Sequence, residues 1–202
     1  MGKPGAVQYA GLDAEIASVI TGLILLFSAC SAFIQFLVKR AKDRDITAFS
    51  ELYSFYSEDM YRFALYMLNS KEDAEDAVQE TVITAFKQLS NLRDDSLFKS
   101  WLFKILSNQC KSQLKKNKKN PDLLPEDDYI FLIEDESVSS EFTSIELVEA
   151  LKSLTPPDGQ IVLLSIIGGF KSDELSKIYN LSPSTIRSKQ KRALEKLRKV
   201  LG

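Results

Sequence analysis

The sequence predicts an all-α chain: two small helical domains joined by an acidic linker, the second of them a helix-turn-helix. Three observations carry that expectation. Apolar residues return at three- and four-residue spacings through 47–106 and again toward the C-terminus. Between the two blocks, residues 120–143 hold Pro121, Pro125 and, from Glu126 to Glu141, seven acids without a base. Near the end, Asn180-Leu181-Ser182 reads as a turn between a short amphipathic segment and a long one.

At 202 residues, 45% hydrophobic and 27% charged, the chain has room for two small domains. Its net charge of -2 conceals segregation, with acids crowding 72–80 and 126–141 and bases crowding 111–119 and the C-terminus. Such segregation points to separate surfaces for separate partners. There is no histidine, and Cys30 and Cys110 stand far apart. That inventory assembles no zinc or cysteine–histidine centre, so no metal and no cofactor is expected. Without a secretory cleavage pattern, both thiols fit a reducing compartment as small buried groups.

From Ile16 to Val38 the chain runs 23 positions with no charge and a single amide, Gln35. That length can cross a bilayer. Asp13 and Glu15 precede it and Lys39, Arg40 and Lys42 follow, which would leave the remainder of the chain in the cytoplasm. Three readings stay open for residues 1–38: a membrane anchor, a stretch upstream of a start near Leu37 or Val38, and a buried core helix.

Phe49, Leu52, Tyr53, Tyr56, Met60, Phe63 and Met67 predict one helix from Thr47 to Leu68, giving way near Asn69-Ser70. In the next helix Ala74, Ala77, Val78, Thr81 and Ala85 share one side. Glu72, Asp73, Glu75, Asp76, Gln79 and Glu80 share the other. A face made only for solubility mixes signs; from Glu72 to Glu80 this one carries acids and no base. After the polar loop 91–96, Leu97, Trp101, Leu102, Ile105 and Leu106 supply a core stripe, and Lys104, Lys111, Lys115, Lys116, Lys118 and Lys119 a basic continuation. Aromatic residues beside a basic face suit a single nucleic-acid strand. Trp101 is expected in the core, with Phe98 and loop 93–96 exposed.

The second domain begins near Ser144. Thr155 is expected to cap a helix with Pro156 in its first turn and Asp158 reaching back, and Ser172 to cap the next. Ser182 then caps the last helix, with Pro183 at its first position. Ile186, Ala193, Leu194, Leu197 and Leu201 form its inward stripe, leaving Ser184, Thr185, Arg187, Ser188, Lys191 and Arg192 facing out. From Pro183 to Lys199 there are seven bases and one acid, the charge of a helix made for duplex DNA.

In that order and spacing, AFSELYSFYSEDMYRFALYML, DAEDAVQETVITAF, FKSWLFKILSNQ and the terminal helix-turn-helix resemble the extracytoplasmic-function sigma factors of bacterial RNA polymerase. The likeness extends over about residues 44 to 201. It implies a division into an apolar extension (1–38), sigma region 2 (44–119), a linker (120–143) and sigma region 4 (144–202). It further implies that Asp73, Asp76, Gln79 and Glu80 dock on the clamp coiled coil of core polymerase. Asp94, Asp95, Ser96, Leu97, Phe98, Asn108, Lys111 and Lys115 would hold the melted −10 strand of promoter DNA. Ser184, Thr185, Arg187, Ser188, Lys191 and Arg192 would read the −35 element. An anti-sigma protein is the usual partner that sequesters such factors. No catalytic group is implied, so the chain is not expected to be an enzyme.

The sequence also departs from the family. Ser112 stands where many relatives carry aspartate, Gly168-Gly169 suggest a loosened region 4, and an N-terminal membrane segment is foreign to the family. A stand-alone helix-turn-helix regulator and a membrane-tethered cytoplasmic regulator are the alternatives.

Overall fold

The computed structural model describes residues 6–119 and 150–201. The expected acidic linker, 120–143, and the start of the second domain at Ser144 lie outside them.

The first helix, α1 (Ala6–Lys42), changes character along its length. Ile16, Val19, Ile20, Leu23, Ile24, Leu25 and Leu26 are exposed on every side, whereas Leu37, Val38 and Ala41 are buried. A buried core helix is therefore wrong for most of the apolar run and right only for its last turns. Arg44, at φ 68, ends the helix. Asp45 then caps α2 (Ile46–Ser54), accepting from the Ala48 N–H at 3.0 Å and from Arg40 Nε at 2.9 Å. Those two bonds, the backbone one foremost, hold its carboxyl below the usual range.

The single helix expected from Thr47 to Leu68 is two: α2, then α3 (Ser57–Leu68), hinged at Phe55-Tyr56. Each half answers to a different neighbour. Helix α2 packs on α1, while α3 packs on α4 (Lys71–Gln88) and α5 (Phe98–Lys119). The apolar face survives the hinge, with Phe49, Leu52, Met60 and Phe63 all buried. Asn69 closes α3 in the left-handed region at φ 53, and the Ser70 hydroxyl caps α4 by accepting from the Asp73 N–H at 3.2 Å. Edge-to-face rings knit the bundle: Phe49 to Phe86 at 5.0 Å, Phe63 to Phe103 at 6.2 Å.

The second unit enters on a helical turn at 150–152 and continues as α6 (Asp158–Ile167), α7 (Ser172–Tyr179) and α8 (Pro183–Leu201). Two expected caps are corrected. The residue before α6 is Pro157, and the Asp158 carboxylate instead pairs with Lys189 of α8 at 2.7 Å, pinning the helix start to the terminal helix. Ser172 lies inside α7 and donates to Gln190 Oε1 at 3.3 Å, while Glu174 accepts from the Lys171 N–H at 2.8 Å. Ser182 does cap α8, accepting from the Thr185 N–H at 3.1 Å. Gly169, at φ +57, makes the turn between α6 and α7 that a side chain would strain. The glycine pair thus falls at a tight turn.

Burial pushes the Tyr66 hydroxyl up to about 12, from an ordinary 10. A raised value in the folded chain means stability that is complete below pH 10 and lost as pH climbs toward 12. Tyr66→Phe should therefore shrink the alkaline loss, measured as urea midpoints between pH 9 and 12.

Candidate polymerase and promoter surfaces

Helix α4 buries Ala74, Ala77, Val78, Thr81 and Ala85, as its periodicity requires. Small residues on this face let α3 and α5 approach closely. The opposite face leaves Glu72, Glu75, Asp76, Gln79 and Glu80 exposed. Asp73 differs from its neighbours: it is half-buried and accepts from Gln113 Nε2 at 2.7 Å and Asn117 Nδ2 at 2.8 Å. Its carboxylate is thus committed to holding α4 against α5. Of the exposed acids, Asp76 and Glu80 border a groove between the two helices that Gln79, Ile83, Gln109, Gln113 and Lys116 also line. Gln113 and Asn117 were not singled out in the sequence, although their four-residue spacing places them on one helix face.

The polar loop before α5 is more ordered than its composition suggests. Asp94 accepts from the Ser96 hydroxyl at 2.6 Å and the Ser96 N–H at 3.0 Å, which keeps its carboxyl below the ordinary range. Asp95 forms an ion pair with Lys42, joining the loop to the last turn of α1. Asp94 and Ser96 are exposed, Asp95 and Leu97 half-buried.

Phe98 is corrected outright: it is only 2% exposed. As the first residue of α5 it shares the stripe of Leu102 and Leu106, and its ring packs against Tyr56 at 5.8 Å and Trp101 at 6.0 Å. Counting it with the polar loop misjudged where the helix begins. Trp101, expected in the core, is half-buried. Further along α5, Asn108, Lys111 and Lys115 are exposed. Cys110 is buried and its thiol is pushed up to about 12 by that burial, whereas Cys30, also expected to be buried, is exposed.

On α8, Ser184, Arg187, Ser188, Lys191 and Arg192 face solvent and Thr185 is half-buried beside the Ser182 hydroxyl at 2.8 Å. Ile186, Ala193 and Leu197 seat the helix, but Leu194 is 53% exposed. Lying one position, about 100°, past Ala193, it falls off the inward stripe. It sits instead in a shallow depression with Arg187, Lys191 and Arg198. The side chain of Leu201 lies outside the described residues.

Comparison with known proteins follows the same division. Residues 52–120 match Sigma-70 region 2, and residues 144–197 match Sigma-70, region 4. The ECF RNA polymerase sigma factor SigM of Bacillus subtilis is 31% identical over 152 residues, covering 73% of this chain and 91% of that protein. The ECF RNA polymerase sigma factor SigM of Mycobacterium tuberculosis is 27% identical over 158 residues, covering 78% and 79%. Among solved structures, CnrH in complex with the cytosolic domain of CnrY superposes with a TM-score of 0.65 at 20% identity, covering 84% of this chain and 97% of that one. RpoE of Bartonella quintana with the anti-sigma factor NepR gives 0.65 at 23%, covering 77% and 98%. These superpositions establish a shared fold.

Proposed function

Because this chain belongs to the extracytoplasmic-function sigma factors, which direct bacterial RNA polymerase to specific promoters, we propose a division of labour among its three surfaces. Asp76, Gln79 and Glu80 on α4 take the polymerase clamp, with Asp73 bracing the helix from behind. Asp94, Asp95, Ser96 and Leu97 with Asn108, Lys111 and Lys115 hold the melted −10 strand. Ser184, Thr185, Arg187, Ser188, Lys191 and Arg192 read the −35 element. Phe98 contributes by supporting the loop from the core. The observation that carries this reading is that one chain presents an acid-rich helix face and a base-rich, properly capped recognition helix. Opposite charges of this kind serve a protein partner and DNA respectively. Promoter melting then draws on binding energy to the opened strand, with no catalytic group on the sigma factor.

Run-off transcription on fragmented genomic DNA, with core polymerase and the full chain, tests this. Discrete core-dependent transcripts are expected. Duplex binding by the chain with no core-dependent transcript would establish the stand-alone regulator instead. Arg187→Ala should weaken −35 discrimination by about 1–3 kcal/mol, read as altered preference among promoter variants.

Action is in the cytoplasm, with the polymerase. An anti-sigma protein is the inhibitor class we assign to it. We also assign the exposed part of the apolar run, residues 16–33, to a bilayer, leaving Leu37 and Val38 in the core: the most apolar window of the candidate span has mean hydropathy 2.2 and none of it is buried. The full chain should then sediment with membranes and resist alkaline carbonate, and Ile20→Lys with Ile24→Lys should release it. Release of the unaltered chain by carbonate would remove the tether from this account.

A further inference from the structure

The exposed apolar surface of α1 does not end where the bundle begins to hold the helix. Helix α2 folds back along α1: Asp45, before its start, bonds to Arg40, and Phe55, just past its end, meets Phe33 edge-on at 6.3 Å between ring centroids. The hinge between α2 and α3 therefore lies level with Phe33, at the end of the bundle from which the apolar part of α1 projects. Phe36 follows one turn after Phe33 on the same helix. Phe33 is 45% exposed, Phe36 54% and Phe55 51%, so three rings from two places in the chain stay uncovered together. An apolar patch of this kind marks a surface with a partner.

Helix length points to what that partner is. Residues 16–33 rise about 27 Å at about 1.5 Å each, a few ångströms short of a hydrocarbon core of about 30 Å. The missing depth falls on the next turn, at Phe36, and brings the Phe33 and Phe55 rings to the boundary between acyl chains and headgroups. Charge comes next: Lys39 is exposed, and the Arg40 guanidinium lies 5.7 Å from the centre of the Phe36 ring. An apolar span, then aromatic rings, then bases is the order of groups that suits a bilayer interface. The carboxylates that open α3 beside Phe55 are subdued. Glu58 pairs with Arg62, and Asp59 is half-buried, its carboxyl raised by that burial.

We propose that Phe33, Phe36 and Phe55 seat the first helical unit on the cytoplasmic face of the bilayer, so that the chain is held both by its span and by the α2–α3 hinge. This rests on the assignment of residues 16–33 to the bilayer. Seating fixes an orientation. Lys42, with the Asp95 loop it holds, stands nine positions past Phe33, about 13 Å farther from the bilayer along α1. The loop assigned to the −10 strand is thereby kept in water, clear of the lipid.

Nitroxide labels at Phe36→Cys and Phe55→Cys, each in a Cys30→Ser background of the full chain in phosphatidylcholine vesicles, test the seat. Cys110 is buried and stays unlabelled. Leu23→Cys serves as the marker for the bilayer and Ile83→Cys, exposed on α4, as the marker for water. Circular dichroism establishes which labelled forms are folded, and the two patch positions report independently. Contact with hydrocarbon raises collisions with oxygen and lowers those with a water-soluble nickel chelate, whereas cover by protein lowers both. Each folded form labelled at 36 or 55 should show severalfold fewer nickel collisions than label 83, with more oxygen collisions. Nickel collisions at either position equal to those at 83 would overturn the seat, while a label at 23 shielded from nickel would still uphold the span. Few collisions with either relaxant at 36 and 55 would place protein over the patch, a second copy of the chain included, and would equally overturn the seat. A label at 23 open to nickel would remove the span itself, and the seat with it.

Discussion

Core-dependent transcription should collapse when Asp76 and Glu80 are both reversed to lysine, while binding of duplex DNA through α8 persists. Both side chains are exposed on α4, at a four-residue spacing that places them on one face beside the α4–α5 groove. Reversal puts like charge against whatever basic surface docks there, and such juxtaposition costs several kcal/mol. A loss of about a hundredfold in affinity for core polymerase follows, since each 1.4 kcal/mol is about tenfold. The structure refines the choice of residues. Reversing Asp73 would also break its bonds to Gln113 and Asn117, so a loss of activity there would mix docking with damage to the α4–α5 seam. Fluorescence titration of core polymerase, alongside a thermal melt, separates the two. Unchanged core affinity in the folded Asp76, Glu80 variant would remove this face from the polymerase interface.

Leu37→Ala should be the most damaging single change near the N-terminus. Leu37 and Val38 are fully buried, and with Ala41 they anchor α1 against α2 and the loop that carries Asp95. Leucine-to-alanine changes at such sites cost about 2–5 kcal/mol. For a chain of this size that is a fall in melting temperature of roughly 5–15 °C. Leu23→Ala, on the exposed part of the same helix, should leave the melting temperature of the helical bundle within a degree or two. A chain shortened to begin at Val38 removes Leu37 and should melt well below one shortened to begin at Ala32. Equal melting of those two would show that the last turns of α1 do not belong to the core.

The sequence was most informative where one helix face had one job. The small-residue stripe of α4 is buried as its spacing required, and the cap and turn of α8 stand where Ser182, Pro183 and Asn180 placed them. Phe98 and Leu194 went the other way. Each lies within a residue of a helix start or a stripe edge, where a shift of one position turns a side chain by about 100° and exchanges core for solvent. The hinge at Phe55-Tyr56 was equally hidden, because α2 and α3 keep a single apolar rhythm while packing on different partners.

By itself the sequence determined the helical class, the two-part organisation and the segregation of charge, since these follow from local periodicity and side-chain chemistry. Only the tertiary structure decided that Asp73 is a brace, that Lys42 holds Asp95, that the apolar run ends inside the core, and that α7 packs on α5. Those outcomes join residues 40 to 85 positions apart, and the proximity they need comes from how the helices pack, a property no short window of sequence contains.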